Sequence, residues 1–249
     1  MTIMSNVNVE TSGVEVRPFA SLGGFRNEWL NARHHFSFGQ YHDPARMGVG
    51  RLRVWNDDEI APGTGFDAHP HRDMEIITFV RDGAISHRDN LGNQGRTEAG
   101  DVQVMSAGRG IVHAEYNLES EPTRIFQIWI EPDRRGVAPS WGARAFPKAD
   151  GGAGFTVLAS GRPTDRIGDG GALAIQADAA VAAATIPSGQ RAVWDLAPGR
   201  NAYLVAARGT ILVNGVAAAT RDGVAVTVPG PIEVTGDAEA EVVLVDIRA

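Results

Sequence analysis

An all-β fold in two tandem domains is what this sequence predicts. Its β-branched and aromatic runs are short, turn-forming residues separate them, and stretches with helical amphipathic periodicity are few. The 249 residues include 30 glycines and 13 prolines, which cut the chain at short intervals. In the first half the clearest strands are Glu75 to Val80 (EIITFV), Asp101 to Met105 (DVQVM) and Arg124 to Ile130 (RIFQIWI). Each has the length of an ordinary strand and meets a glycine or proline soon after it ends. With helix in the minority, such a pattern builds a β-sandwich or barrel.

The second half repeats the style in weaker form. Its runs are Phe155 to Leu158, Ala202 to Ala206, Thr210 to Val213, Val224 to Val228, Ile232 to Val234 and Glu241 to Ile247. Gly168 to Gly171 (GDGG) reads as a loop, and residues 147–154 (PKADGGAG) form a small, turn-rich stretch suited to a boundary. A domain of residues 1–146 followed by one of residues 147–249 is therefore expected.

A composition 43% hydrophobic and 21% charged is that of a globular chain able to bury a core. The formal net charge of -7 weighs against affinity for a nucleic-acid backbone, so no direct nucleic-acid partner is expected. There is no cysteine, which removes disulfides, thiolate ligands and thiol catalysis. Any metal must then be held by histidine and carboxylate. The N-terminus (MTIMSNVNVETSGVEV) lacks a basic region followed by an apolar one, and no run of about eighteen apolar residues occurs later. A cytoplasmic protein without membrane contact is expected.

Two pairs of side chains carry the chemistry: His69 with His71, and His113 with Glu115. A one-residue gap in a strand puts both side chains on the same face, so each pair can point at one atom. Three imidazoles and a carboxylate suit a borderline or hard divalent ion such as iron, manganese, nickel, copper or zinc. Four protein ligands would leave one or two positions open for substrate, water or dioxygen. All seven histidines lie at or before position 113, so the second domain lacks the ligand types of the first. Of the others, His34, His35 and His42 line a cavity mouth or serve packing and surface roles, and His87 is placed to orient a ligand or substrate. Gln127 and Trp129 share one face of an apolar strand while Phe126, Ile128 and Ile130 share the other, so one of these sets should fill the barrel. Gly108 and Gly110 read as a tight turn, since no GxxxxGK[ST] follows them.

The spacings resemble those of the cupin superfamily, small double-sheet β-barrels that hold a metal inside. Gly63, His69-Pro70-His71, Glu75 and Gly83 match its first motif; Gly100, Gly108, His113 and Asn117 match the second, which departs at Ser106, where cupins usually carry proline, and in a longer spacer before the histidine. Those departures resemble the pirin family of bicupins. The runs HPHRDMEIITFV, SHRDNLGNQGRTEAGDVQVMSAGRGIVHAE, RHHFSFGQYHD (Arg33 to Asp43) and FQIWIEP (Phe126 to Pro132) carry the likeness over roughly the first 145 residues. The second half shares only the general β pattern.

The resemblance implies two tandem cupin-type barrels, the first holding one divalent metal, iron by preference, on His69, His71, His113 and Glu115. Most cupins use the glutamate of the first motif instead, here Glu75, which regular strand alternation would place on the face of His69 and His71; it is ranked behind Glu115, beside the ligands. Bacterial pirins are associated with quercetin 2,3-dioxygenase activity, which implies a flavonol and dioxygen as substrates, with Glu115 accepting the proton of the flavonol 3-hydroxyl. The alternative implied by the family is a metal- and redox-responsive regulator that binds transcription factors or metabolic enzymes without turnover.

Overall fold

The computed structural model describes residues 13–146 and 153–249. In chain order the strands are β1 (Val14–Arg17), β2 (Gly23–Arg26), β3 (Leu30–His34), β4 (Leu52–Ile60), β5 (Gly65–His71), β6 (Glu75–Asp82), β7 (Ala84–Asp89), β8 (Gln94–Glu98), β9 (Val102–Ser106), β10 (Ile111–Tyr116), β11 (Thr123–Ile130) and β12 (Ser140–Arg144). The second half adds β13 (Thr156–Ser160), β14 (Leu173–Ala174), β15 (Ala179–Ile186), β16 (Arg191–Leu196), β17 (Arg200–Arg208), β18 (Ile211–Val213), β19 (Val216–Ala218), β20 (Gly223–Val226), β21 (Gly230–Gly236) and β22 (Ala240–Arg248). Among the described residues the helical content is one 3-10 turn, Phe19–Ser21, and no helix is long and apolar enough to cross a membrane.

Each half is a seven-stranded sheet paired with a four-stranded one, the double-sheet cupin plan. The first half pairs the sheet β12-β9-β6-β11-β4-β3-β2 with β5-β10-β7-β8; the second pairs β1-β20-β17-β22-β15-β13-β14 with β16-β21-β18-β19. Strands near the middle of the large sheets are buried on both faces, which is why β6, β11, β17 and β22 read as near-continuous apolar runs. By contrast β16, packed on one face only, alternates strictly between exposed and buried residues.

The two large sheets share a core. Trp55, Ile77, Phe79, Phe126 and Ile128 from the first half pack in one cluster with Val181, Tyr203, Val205, Val243 and Val245 from the second. Phe126, Ile128 and Ile130 thus face the second domain, while Gln127 and Trp129 face the interior of the first. The interior of the second half is filled with small aliphatic side chains, including Ala182, Ala184, Leu204, Val213, Val224 and Ile232.

The strand β1 belongs to the second half's sheet, where it pairs antiparallel with β20. We keep the division at 146/147 as a proposal, with this N-terminal segment reaching across it. Most of the expected boundary stretch, residues 147–152, lies outside the described residues.

Candidate metal centre

The small sheet of the first half carries the candidate ligands. His69 and His71 lie on β5 and His113 and Glu115 on its neighbour β10, with His113 directly opposite His69. The register shifts between His113 and Glu115, leaving one extra residue on β5 between Phe66 and His69. His87, on β7, lies opposite Glu115 on the other side of β10. Ligand atoms of His69, His71 and His113 lie within 4.8 Å of one another. Their ring centres are 4.5 to 5.0 Å apart.

The hydrogen-bond partners favour one assignment of the ring protons. His69 Nδ1 is 2.6 Å from the Asp67 carbonyl, which can only accept, so Nε2 of that ring is left as a bare lone pair. His87 Nε2 donates to the Asp89 carboxylate at 3.1 Å, which leaves His87 Nδ1 to accept from His113 Nδ1 at 3.4 Å. That assignment bares His113 Nε2, and it faces His69 Nε2 at 3.1 Å. Burial, and then the neighbouring His69, His71 and His87, pushes His113 down to about 3; burial and His69 push His71 down to about 4. Facing lone pairs ask for a positive charge between them. With a third imidazole at hand, the donor set fits a divalent metal ion.

Glu115 stands slightly apart from that triangle. One of its oxygens groups with His87 and His113 within 4.8 Å, but the three-histidine cluster does not include it. The carboxyl is instead held by three donors from the opposite sheet: Gln103 Nε2 at 2.6 Å, Gln127 Nε2 at 2.8 Å and Thr78 Oγ1 at 3.3 Å. Burial pushes it up to about 7 against the pull of these bonds. The donors are themselves oriented, since Thr97 donates to Gln103 Oε1 and Trp129 donates to Gln127 Oε1, turning both amide nitrogens toward Glu115.

These donors belong to a polar row that sequence reasoning did not identify. Cross-strand partners run His34, Asn56, Gln127, Thr78 and Gln103 across β3, β4, β11, β6 and β9. Thr78, Gln103 and Gln127 sit inside apolar runs, whereas His34 and Asn56 lie in the more polar strands β3 and β4. The available signal was a lone amide or hydroxyl within each run, as in EIITFV, DVQVM and RIFQIWI. At the far end of the row His34 Nδ1 bonds Asn56 Oδ1 at 2.8 Å.

Glu75 is elsewhere. The chain turns between β5 and β6, with Asp73 in the left-handed region at φ 47°. Strand alternation is reset there, and Glu75 starts a strand of the opposite sheet. It takes a 2.5 Å hydrogen bond from Ser106, the residue where the second cupin motif departs, and a backbone bond from Gln176 of the second half. Of the remaining histidines, His35 is buried against Tyr203 between the halves, His42 is exposed, and His87 stacks on Trp141 at 4.7 Å. Gly108 and Gly110 occupy positive-φ turn positions, as expected.

A cavity of about 530 Å³ opens onto the polar row, lined by Trp29, Phe38, Phe66, His34, Asn56, Asp58 and Gln127 among others. It adjoins the metal centre: Gln127 bonds Glu115, the Phe66 ring is 6.3 Å from His69, and Phe38 packs on Trp129, which packs on His71. That volume suits a drug-sized ligand. A hollow of about 560 Å³ beside His87, with Arg88 and Arg96 on its wall, touches none of the three clustered histidines except through His87.

Comparison with known proteins agrees with the fold. The pirin family model matches residues 15–130, and that of the quercetinase C-terminal cupin domain matches residues 163–247. A Pseudomonas aeruginosa protein that carries a provisional quercetin 2,3-dioxygenase name is 62% identical over 94% of this chain and 99% of its own. The quercetin 2,3-dioxygenase of Escherichia coli is 38% identical over 94% of this chain and 98% of its own. A bacterial pirin from Escherichia coli, solved in complex with nickel(II), superposes with a TM-score of 0.86 at 37% identity, covering 94% of this chain and 99% of that one. Alike in sequence over nearly all of its length and in the pairing of two cupin domains, the chain belongs to the pirin family.

Proposed function

We propose that this chain is a metal-dependent dioxygenase that opens a flavonol such as quercetin, with His69, His71, His113 and Glu115 as the ligand set and iron as the metal. Zinc, copper, nickel or manganese would meet the same donor chemistry. The observation that carries the reading is the convergence of bare imidazole nitrogens beside a buried carboxyl raised to about 7, at the wall of an aromatic-lined cavity. A bound divalent metal would supply Lewis-acid polarisation of a substrate hydroxyl and redox chemistry with dioxygen.

The chain's own residues have separable tasks. Glu115, beside the metal and charged there, accepts the flavonol 3-hydroxyl proton. Gln103, Gln127 and Thr78 hold that carboxylate once it is charged, because all three donate to it. Trp29, Phe38 and Phe66 present apolar ring surface to a planar substrate and keep water from it. A regulator without turnover would have no need of such a cavity beside the metal, which favours the enzymatic reading over a purely regulatory one.

The test is oxygen consumption with quercetin by protein loaded separately with iron, nickel, copper, manganese and zinc. Uptake that depends on the metal and matches the loss of quercetin is the expected result. No uptake at full metal occupancy would remove the flavonol reading.

A further inference from the structure

One buried group in the cavity has no role in the metal centre described above. Asp58 lies two residues beyond Asn56 on β4, so both side chains share the face that lines the cavity, about 7 Å apart along the strand. Its residue is 2% exposed, and its Oδ1 is buried without a hydrogen-bond partner. A buried polar atom left unpaired costs stability, so a purely structural carboxyl here would be a liability. The adjacent Asp57 faces the other way and is matched by Arg81 and Arg221. The contrast between these neighbours is informative: the sequence supplies a buried aspartate with two cations on one face and one with none on the cavity face.

We infer that Asp58 is a specificity-determining residue of this cavity, hydrogen-bonding a ring hydroxyl of a planar, polyhydroxylated aromatic ligand at a point remote from the metal. The inference rests on the flavonol reading of the same site. Burial, with Asp57 and Glu115 nearby, pushes the Asp58 carboxyl well above its ordinary value despite Arg81, which favours the protonated form. A neutral carboxyl both donates and accepts, which matches a phenolic hydroxyl and not a carboxylate or phosphate. The ring walls of Trp29, Phe38 and Phe66 accept the flat body of such a ligand, and Glu115 lies behind Gln127 across the polar row. The ligand would be gripped at two points: at the metal through its hydroxyl and carbonyl, and at Asp58 through a hydroxyl on another ring.

The test compares quercetin with 3-hydroxyflavone, which keeps the 3-hydroxyl and neighbouring carbonyl but lacks the other hydroxyls. Affinities for the iron-loaded protein are measured by calorimetry under argon, where turnover is excluded. Wild type should prefer quercetin, and Asp58→Leu should shrink that preference by about tenfold or more. Asp58→Asn, which keeps the shape and both kinds of hydrogen-bonding group, should retain most of it. Asp58→Ala serves as a second apolar variant if the leucine disturbs folding. If quercetin binds and its preference survives in a folded apolar variant, the assignment of Asp58 is overturned while the flavonol reading stands. If neither compound binds wild type, both fall together.

Discussion

Glu115 has conflicting demands placed on it: burial favours its neutral form, and three donors favour its charged one. Without a metal the outcome is about 7, and a bound cation would pull it lower, toward the charged form that can accept a proton. Replacing it by glutamine keeps the shape and removes the ability to take a proton. Glu115→Gln should therefore lower quercetin turnover by about 100-fold or more at matched metal occupancy, with folding retained. Undiminished oxygen uptake in that variant would exclude Glu115 as the base. At this scale the sequence was most readable where chemistry lies within one strand. His69 with His71, and His113 with Glu115, follow from alternation alone. Asp58, Asn56 and Gln103 were missed because their meaning depends on cross-strand register, which no short window contains.

The pairing of β5 with β10 brings His69, His71 and His113 together, with Glu115 beside His113, and its extra residue places the Asp67 carbonyl where it holds His69 Nδ1. Gly65 starts β5 opposite Tyr116, and a Cβ there would collide with the Glu115 carbonyl oxygen and the Tyr116 Cα. Both are backbone atoms, so relief requires the strands to part. Gly65→Ala should cost about 1–3 kcal/mol in urea unfolding and weaken metal binding, though it touches no ligand side chain. Unchanged stability and affinity would show that the strand pairing does not tension the site. The same element explains the placement of Glu75. Sequence alternation carried its face forward from His71, but the turn at Asp73 ends one strand and opens another in the opposite sheet. Where a turn intervenes, period-two reasoning does not cross it.

Over the whole molecule the division of labour is compositional. Both halves have the same two-sheet plan, yet the first lines its interior with a polar row and imidazoles while the second fills its own with alanine, valine, leucine and isoleucine. The all-β class, the tandem arrangement and the confinement of histidine to the first half were all legible in the sequence. The shared core between the large sheets and the crossing of β1 were not, because contacts between distant segments leave no local period. A chain built this way should bind one metal ion, not two.

Metal content after reconstitution, measured by elemental analysis on wild type and on His69→Ala with the fold checked by circular dichroism, tests the central claim most directly. The account predicts one ion per wild-type chain and loss of that ion in the variant, because removing His69 removes one of the two facing lone pairs. Full retention of the metal by a folded His69→Ala protein, or two ions per wild-type chain, would contradict it.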